Sequence, residues 1–394
     1  MFRVTSKQPA HPVLPSPPRP ETVRVVEYNV NSWGAYALSD ARPTALYFRD
    51  RARHPQIVQK LTEVRADIIV LIEAWDDAAW ADVPALQAQY PHIYPQSLPP
   101  PSLYGIDAMK ERVRKAAPFL GPLALRHTGA VVSAIVHNHY PAEMGLLHGA
   151  LEAVDIEDRV MRYLRRTLHL GHILGHGIRV FSRFPIEDVK ESELASKVDL
   201  DQWTDKRQIL LKFRKPDGTV FHMLVGHHTE GISKKAHLAR ADQQAQAVGI
   251  LGSVEGAALF VGDVNVVAED LFFPDGSMRS GHEGEANGCR TEEYLQMLKR
   301  FRSIHLEDAC RAVCPNARRD PKITFHNKNP YSERRGSVHA PGEKPCRIDY
   351  VWCRGLKPIE LRVLRNHFVS RRTRREGPYP LSDHFAVFCE LALP

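Results

Sequence analysis

Carboxylate, amide and imidazole side chains recur at one kind of place in this sequence, the end of a short apolar run. Asn29 closes VVEYN, Glu73 closes IIVLIE, and Asp263 and Asn265 follow ALFVG. The other residues of this kind are His228 after FHMLVGH, Asp349 in RIDYVW, and Asp383 and His384 in LSDHFAVF. A carboxylate at the end of a buried strand costs free energy unless it is paired or bound to a metal. The pattern therefore indicates a site that combines acid–base groups with metal-binding oxygens.

Each of these residues also has a structural explanation when it is taken alone. Glu73 could be a solvated charge, Asn265 a turn residue and His228 a hydrogen-bonded core histidine. Asp349 could pair with Arg347 two residues before it. The ordered set as a whole favours a catalytic site over these structural explanations, because every member stands at a predicted strand boundary.

The elements that position these residues are short strands with helices between them. The sequence predicts strands in VRVVEYNV, DIIVLIEAW, GIRVFSRFPI, ALFVGDVNVV, KPCRIDYVWCRG and HFAVFCELAL. It predicts a hairpin over 207–229 with Pro-Asp-Gly at the turn, and helices in HPQIVQKLTEVRA, KKAHLARADQQAQAVGIL and TEEYLQMLKRF. Strands that end in polar residues, with helices interposed, favour an α+β layered sandwich whose site lies at one rim of the sheets.

The predicted domain organisation is one long domain with a leader and an insertion. Residues 1–22 are rich in proline and predict a disordered leader, and residues 23–394 form a single domain. Residues from about 100 to 172 depart from the strand pattern and predict a helical insertion.

Composition restricts the class of protein without choosing a function. The chain has 394 residues and is 43% hydrophobic. It carries a net charge of +7 and has a pI near 9.0. This positive charge either favours phosphate-bearing partners or serves only solubility. Its six cysteines form no CxxC pair and are sparse, as in a reducing compartment. No signal-peptide core or membrane-spanning stretch is evident, so we expect a cytoplasmic protein with at most peripheral membrane contact.

The ordered set of motifs resembles the endonuclease/exonuclease/phosphatase superfamily. The matching pieces are EYNV, IIVLIEAW, GIRVFSRFPI, LVGHHTEG, FVGDVNV, RIDYVW and LSDHFAV, from about residue 23 to 392. The resemblance implies a four-layer α+β sandwich, with two mixed β-sheets face to face and helices outside. It also implies hydrolysis of phosphoester bonds aided by a divalent cation.

The same resemblance implies a role for each matching residue. Glu73 and Asn29 offer hard oxygen ligands that suit Mg²⁺, with Mn²⁺ or Co²⁺ as alternatives, and Asp383 would support a second metal or the wall of the site. His384 would be the general base for water and Asp349 would orient its imidazole.

On the phosphate side, Asp263 would hold the water, while Asn265 and His228 would donate to the phosphoryl oxygens. The family often has Thr before this histidine, where the present chain has His227. We align His228 with the family histidine and keep His227 as the alternative.

Finer matches are similar to the sphingomyelinase branch of the superfamily. The Arg-x-x-Gln helix ARADQQAQAV after the histidine, EEYLQMLKRF and YPHIYP carry this likeness. It implies cleavage of sphingomyelin or a related choline phospholipid, at a membrane surface, to phosphocholine and a ceramide- or diacylglycerol-type product.

Two other functions remain open at this point. A basic loop just before the Ser-Asp-His motif could bind anionic lipid or a nucleic-acid backbone, which keeps a nuclease as the alternative. Its candidate substrate-binding residues are Arg371, Arg372, Arg374 and Arg375. A catalytically inactive binding module is the third hypothesis, and the nearly complete residue set argues against it.

Overall fold

The structure is a computed structural model, and the part of the chain that it describes holds most of the predicted strands. The described residues are 21–30, 43–74, 83–95, 176–196, 206–231, 233–268, 288–314, 322–325, 346–370 and 379–393. The predicted helical insertion and the four candidate arginines of the basic loop lie outside these residues, as does nearly all of the predicted leader.

The first sheet contains six strands in the spatial order β11-β14-β1-β2-β4-β3. Its strands are β1 (Thr22–Asn29), β2 (Ile68–Ile72), β3 (His92–Tyr94), β4 (Arg179–Ser182), β11 (Lys357–Val363) and β14 (Val387–Ala392). The central pair β1 and β2 is parallel and its neighbours are antiparallel. The sheet is therefore mixed, and β1 and β2 end at the same edge.

The second sheet also contains six strands, in the order β5-β6-β7-β8-β10-β9. Its strands are β5 (Ile186–Glu193), β6 (Arg207–Arg214), β7 (Val220–His227), β8 (Ala257–Asp263), β9 (Glu307–Asp308) and β10 (Asp349–Arg354). Here β7 and β8 are parallel, and the other pairs are antiparallel. A separate two-stranded sheet pairs β12 (Val369–Ser370) with β13 (Tyr379–Pro380).

Helices cover the outer faces of the two large sheets. The helix α1 (Pro43–Val64) packs with α2 (Pro84–Gln87) over the first sheet, where Leu61 and Val64 share a buried cluster with Val26 and Leu71. The helices α3 (Lys234–Gly252) and α4 (Gly288–Arg302) pack over the second sheet, and α5 (Ala309–Val313) follows β9. This gives the predicted four layers, helix, sheet, sheet and helix. Among the described residues, no helix is both long and apolar enough to cross a membrane.

A continuous apolar core fills the space between the sheets. It takes alternate residues from each strand, as pleated strands require, among them Val23 and Val25 of β1 and Leu259 and Val261 of β8. The same alternation continues past the apolar residues, so Asn29 and Asp263 end their strands on the inward row. The core therefore gives way to polar side chains at one end of the sandwich.

One glycine lets β7 and β8 come together directly beneath this polar end. Gly262 has φ +150°, and a Cβ at that position would lie 1.9 Å from the carbonyl oxygen of Gly226. Only glycine fits such a close backbone approach, which explains the Gly before Asp263 in VGDVN.

The structure confirms the predicted strands and adds some that sequence patterns did not indicate. GIRVFSRFPI forms β4 and then turns at Pro185 into β5, and KPIELRV forms β11. Within YPHIYP, the residues His92–Tyr94 form the short strand β3, which pairs with β4.

Candidate active site

Strand ends from both sheets meet at the polar end of the sandwich. The parallel strands β1 and β2 both finish there, and so do β7 and β8, with His227 opposite Asp263 in register. Strand β10 runs the other way and begins there, with Asp349 opposite Asp263. Topology therefore brings together residues that are separated by more than 300 positions in the chain.

Asp263 lies at the centre of this group. Its Oδ2 accepts a hydrogen bond from Asn29 Nδ2 at 3.2 Å, and Asn29 Nδ2 lies at the same distance from Glu73 Oε1. His384 Nε2 is 3.8 Å from Asp263 Oδ2, and His227 Nε2 is 3.9 Å from it. Side chains from three different strands or loops thus converge on one carboxylate oxygen.

His384 and Asp349 form a hydrogen-bonded pair beside Asp263. His384 Nδ1 lies 2.9 Å from Asp349 Oδ2 and 3.2 Å from Oδ1, and both residues are buried. Burial alone would disfavour the imidazolium, but the carboxylates of Asp349, Asp383 and Asp263 together outweigh it, with the largest effect from Asp349, and raise the pKa of His384 well above its ordinary value. The prediction that Asp349 pairs with Arg347 fails, because Arg347 binds Asp308 at 2.8 Å instead.

Two buried hydroxyls fix the segments that carry this pair. Ser382 Oγ donates to the carbonyl oxygen of Asn29 at 2.6 Å and accepts from the His384 backbone N–H. Thr324 Oγ1 accepts from the backbone N–H groups of Ile348 and Asp349, and its carbonyl oxygen accepts from Phe385 N at 2.6 Å. Thr324 therefore ties the Asp349 strand to the His384 loop, a role that sequence patterns did not reveal.

The structure places His227, rather than His228, beside the other candidate site residues. His227 ends β7 on the inward row, with Nε2 3.7 Å from Glu73 Oε1 and close to Asp263. His228 turns away: its ring lies 5.6 Å from that of Phe260, in the helix-covered face, and its Nε2 lies 3.4 Å from Gln208 Nε2. Strand alternation sends consecutive side chains to opposite faces, so the alternative, His227, faces the site and His228 does not.

The surroundings of His227 favour its neutral form. Burial lowers its pKa well below the ordinary value, and the positive charge of Lys206 lowers it further. A neutral imidazole offers one N–H donor and one acceptor nitrogen, which suits hydrogen bonding to a phosphoryl oxygen.

Asn265 and Asp383 lie at the margin of the group. Asn265 has φ +52°, its backbone N–H donates to Asp263 Oδ1 at 2.9 Å, and its Nδ2 donates to the carbonyl oxygen of His228 at 3.1 Å. Asp383 accepts from Ser382 Oγ at 3.2 Å and its charge acts on His384. The metal role that the sequence suggested for Asp383 stays a prediction.

Left-handed backbone marks two of the functional positions. Glu73 has φ +56° and Asn265 has φ +52°, although neither residue is glycine. Such conformations cost about 1–3 kcal/mol and persist where the surrounding structure imposes them, most often at functional sites.

Glu27 is a site residue that the sequence analysis missed. It lies two residues before Asn29 and so shares the inward row of β1, and it is fully buried. Burial, together with the charges of Asp349 and Asp263, raises the pKa of Glu27 well above its usual range. Counting back by two from Asn29 would have found it.

The oxygen-rich set fits a hard divalent cation. Buried carboxylates of Asp263 and Glu73 share the Asn29 amide, and burial followed by the charge of Asp349 raises the pKa of Asp263 to about 7. Among the described residues, the ligand atoms of Asp263, Asp349 and His384 lie within 4.8 Å of one another. Such an excess of buried negative charge, on oxygen ligands, favours Mg²⁺ over softer metals.

The fold and this site together define a two-sheet sandwich with an acid–base and cation-binding centre at the sheet rim. The model of the Endonuclease/Exonuclease/phosphatase family matches residues 30–384, which is most of the chain. The chain belongs to this family. A search of curated protein sequences returned no significant match.

Solved structures with the same fold include a sphingomyelinase C, SmcL and a beta toxin. Sphingomyelinase C from Streptomyces griseocarneus superposes with a TM-score of 0.51 at 16% identity, over 95% of this chain and 99% of that one. SmcL superposes with a TM-score of 0.52 at 16% identity, over 95% of this chain and 100% of SmcL. A 275–280 form of beta toxin from Staphylococcus aureus superposes with a TM-score of 0.51 at 15% identity, over 94% of this chain and 100% of the toxin. At these identities the likeness establishes the fold.

Proposed function

We propose that this protein is a divalent-cation-dependent phosphodiesterase that hydrolyses a choline phospholipid of the sphingomyelin type. The observation that carries the proposal is the buried His384–Asp349 pair, whose free imidazole nitrogen faces Asp263 at 3.8 Å.

The nucleophile is a water molecule between His384 and Asp263. A gap of 3.8 Å between His384 Nε2 and Asp263 Oδ2 allows one water to hydrogen-bond to both. His384 Nε2 takes the proton as the water oxygen bonds to phosphorus, and Asp349 stabilises the resulting imidazolium. The bond from phosphorus to the lipid alcohol breaks, and the leaving oxygen takes up a proton from solvent.

The groups that would bind the phosphoryl oxygens are neutral hydrogen-bond donors. The neutral imidazole of His227 and the Asn265 amide would donate to phosphoryl oxygens as negative charge develops there. A divalent cation held by Glu73, with Asn29 and Asp263 beside it, would supply Lewis-acid stabilisation of that charge when bound.

The lipid substrate is supported by likeness rather than by contacts. The fold resembles that of sphingomyelinase C, and the chain carries the Arg-x-x-Gln pattern noted above. In the structure these two residues are supports: Arg240 donates to the Thr229 carbonyl oxygen and binds Glu293, while Gln243 hydrogen-bonds to Thr229. They hold the loop that follows the two histidines.

A nuclease is the second candidate function. The net charge of +7 and the pI near 9.0 suit a nucleic-acid backbone as well as an anionic lipid surface. Only the lipid substrate would require the protein to make peripheral contact with a membrane.

A substrate panel with Mg²⁺ separates these functions. The panel contains sphingomyelin vesicles, lysophospholipid, plasmid DNA, RNA and inositol phosphates. We expect phosphocholine release that is abolished by EDTA and in His384→Ala. Strand cleavage of the nucleic acids without phosphocholine release would replace the lipid proposal by the nuclease. Inactivity on the whole panel would contradict both.

A further inference from the structure

A hydrogen-bonded cluster joins the edge strands of the two sheets next to the polar end of the sandwich. Tyr94 ends β3, and its Oη donates to Glu191 Oε1 of β5 at 2.6 Å. Arg207, at the start of β6, donates to the other Glu191 oxygen at 3.0 Å. The ring of His176 stacks on the ring of Tyr94, with 5.6 Å between the centroids and 16° between the planes. These four residues form the edge cluster.

The hydrogen bonds of the edge cluster run in one direction. His176 Nδ1 lies 3.0 Å from the backbone nitrogen of Ile178, whose N–H can only donate, so Nδ1 is the acceptor. The other nitrogen, Nε2, then carries the proton and donates to Tyr94 Oη at 3.3 Å. Burial, followed by the hydrogen bond to Glu191, raises the pKa of Tyr94, so the hydroxyl keeps the proton that it donates to Glu191. The histidine ring is therefore fixed on two sides, by its own loop and by Tyr94.

The loop that this ring fixes also holds the backbone on one side of Glu73. The carbonyl oxygen of Gly177, in the middle of the loop, accepts from Ala74 N at 2.9 Å. On the other side of Glu73, the carbonyl oxygen of Ile72 accepts from Val30 N at 2.9 Å. Glu73 itself has φ +56°, a conformation that persists only where the surrounding structure imposes it. These two hydrogen bonds impose it, and the first of them depends on the position of the loop.

We propose that Tyr94 is a positioning residue for Glu73, the proposed cation ligand, and that it acts through the loop of His176. The Tyr94 hydroxyl holds the ring, the ring holds the loop, and the loop carbonyl holds the backbone from which the Glu73 carboxylate reaches the Asn29 amide at 3.2 Å. The inference rests on the proposed function, because it takes Glu73 to be a ligand of the divalent cation.

A tie between the two sheets is the competing explanation. The hydrogen bond from Tyr94 to Glu191 would then stabilise the sandwich and have no effect on the cation. Tyr94→Phe separates the two roles, because it keeps the ring that packs in the core and removes only the hydroxyl. The structural role predicts a loss of stability alone, whereas the positioning role predicts weaker cation binding as well.

A matched control lies at the opposite end of β2. Tyr90 is also buried, and its Oη donates to the carbonyl oxygen of Ala66 at 3.1 Å. Ala66 precedes β2, whereas Glu73 follows it. Tyr90→Phe therefore removes an equivalent buried hydroxyl from the same sheet, away from the site.

The first measurement is the dissociation constant of Mg²⁺, determined by calorimetric titration of the metal-free protein without substrate, together with its Tm. Groups that orient a metal ligand typically change metal affinity by about 10–100-fold when they are removed, so we expect a rise of that size in Tyr94→Phe. Tyr90→Phe should keep the wild-type dissociation constant, although both variants should lower the Tm of the metal-free protein. A wild-type dissociation constant in Tyr94→Phe would leave the hydroxyl only the structural role.

A double-mutant cycle with His176→Ala tests the route of the effect. His176→Ala should weaken Mg²⁺ binding, and Tyr94→Phe/His176→Ala should bind Mg²⁺ no more weakly than His176→Ala alone, because the hydroxyl acts through the ring. Losses that multiply in the double variant would show that the two residues act independently and would overturn the proposed route.

Glu73→Gln separates failure of this inference from failure of the proposed function. We expect it to weaken Mg²⁺ binding more than Tyr94→Phe does. Wild-type Mg²⁺ binding in Glu73→Gln would overturn both the cation ligand and the inference, whereas a loss there with wild-type binding in Tyr94→Phe would overturn the inference alone.

The second measurement is the Mg²⁺ dependence of phosphocholine release from sphingomyelin vesicles. The kcat of Tyr94→Phe should return to near the wild-type value at saturating Mg²⁺, since the variant only binds the cation more weakly. A kcat that stays low at saturating Mg²⁺ would contradict the positioning role. Because the metal titration uses no substrate, inactivity of the wild type on sphingomyelin would refute the lipid substrate while the titration still decides the role of Tyr94.

Discussion

At the scale of single residues, the His384–Asp349 pair determines how activity depends on pH. His384 must be neutral to accept a proton from water, and the Asp349 carboxylate raises its pKa well above 6.5. Activity should therefore be lost as pH falls, with a midpoint above the ordinary histidine value. The check is the pH profile of kcat/KM with a soluble phosphodiester.

The variant Asp349→Asn tests the cause of that midpoint. Because the carboxylate that raises the pKa is removed, the acidic limb should move to lower pH, while kcat falls since the imidazole is no longer oriented. A higher Mg²⁺ concentration should restore neither the wild-type midpoint nor the wild-type kcat. An unchanged midpoint in Asp349→Asn would show that Asp349 does not control the titration.

The adjacent histidines provide a matched pair of substitutions. His227→Ala should lower activity by about a hundredfold or more, since it removes a donor from the site, and should leave folding nearly unchanged. His228→Ala should act mainly on stability, because the His228 ring packs on Phe260 and contacts Gln208. The measurements are kcat and urea unfolding of both variants, and the reverse pattern would restore the assignment made from the sequence.

At the scale of elements, short connecting segments set the geometry that the strands alone leave open. Thr324 lies outside the strands of the two large sheets, yet its hydroxyl accepts from two backbone N–H groups at the start of β10. Thr324→Val should leave these buried groups unsatisfied and cost about 1–3 kcal/mol of the free energy of unfolding. It should also lower kcat, because Asp349 loses its anchor.

Thr324→Ser is the control for this prediction. It keeps the hydroxyl and removes only a methyl group, so both stability and kcat should stay near wild type. Equal losses in the two variants would mean that methyl packing, rather than the hydroxyl, positions Asp349.

The strands themselves explain why much of the site could be predicted from the sequence. Asn29, Asp263 and Asp349 each end or begin an apolar run, and strand polarity brings such ends together at one rim. His227 could have been chosen over His228 by counting along β7, because Phe221, Met223 and Val225 face the core between the sheets and His227 continues that row. Thr324 lies outside the strands, where hydrophobic patterns carry no information.

At the scale of the whole molecule, the site joins the two sheets of the sandwich. Asn29 and Glu73 belong to the first sheet, whereas Asp263 belongs to the second, and the two sheets present buried carboxylates to each other. The alternation of strands and helices predicted an α+β layered sandwich, and the family resemblance implied its four layers. The carboxylates repel one another because the fold brings the ends of the two sheets close together. Composition alone could not predict this repulsion.

Removal of the divalent cation should therefore destabilise the whole sandwich. A cation present at a hundred times its dissociation constant contributes about 2.7 kcal/mol, which corresponds to a fall of several degrees in Tm when EDTA is added. The fall in Tm on addition of EDTA should be larger at pH 8 than at pH 6. The reason is that Asp263, with a pKa of about 7, is ionised at the higher pH and then repels Glu73 and Asp349. The check is differential scanning calorimetry with Mg²⁺ or EDTA at both values. In Asp263→Asn the EDTA effect and its pH dependence should both shrink, and an EDTA effect of wild-type size in that variant would place the cation away from Asp263.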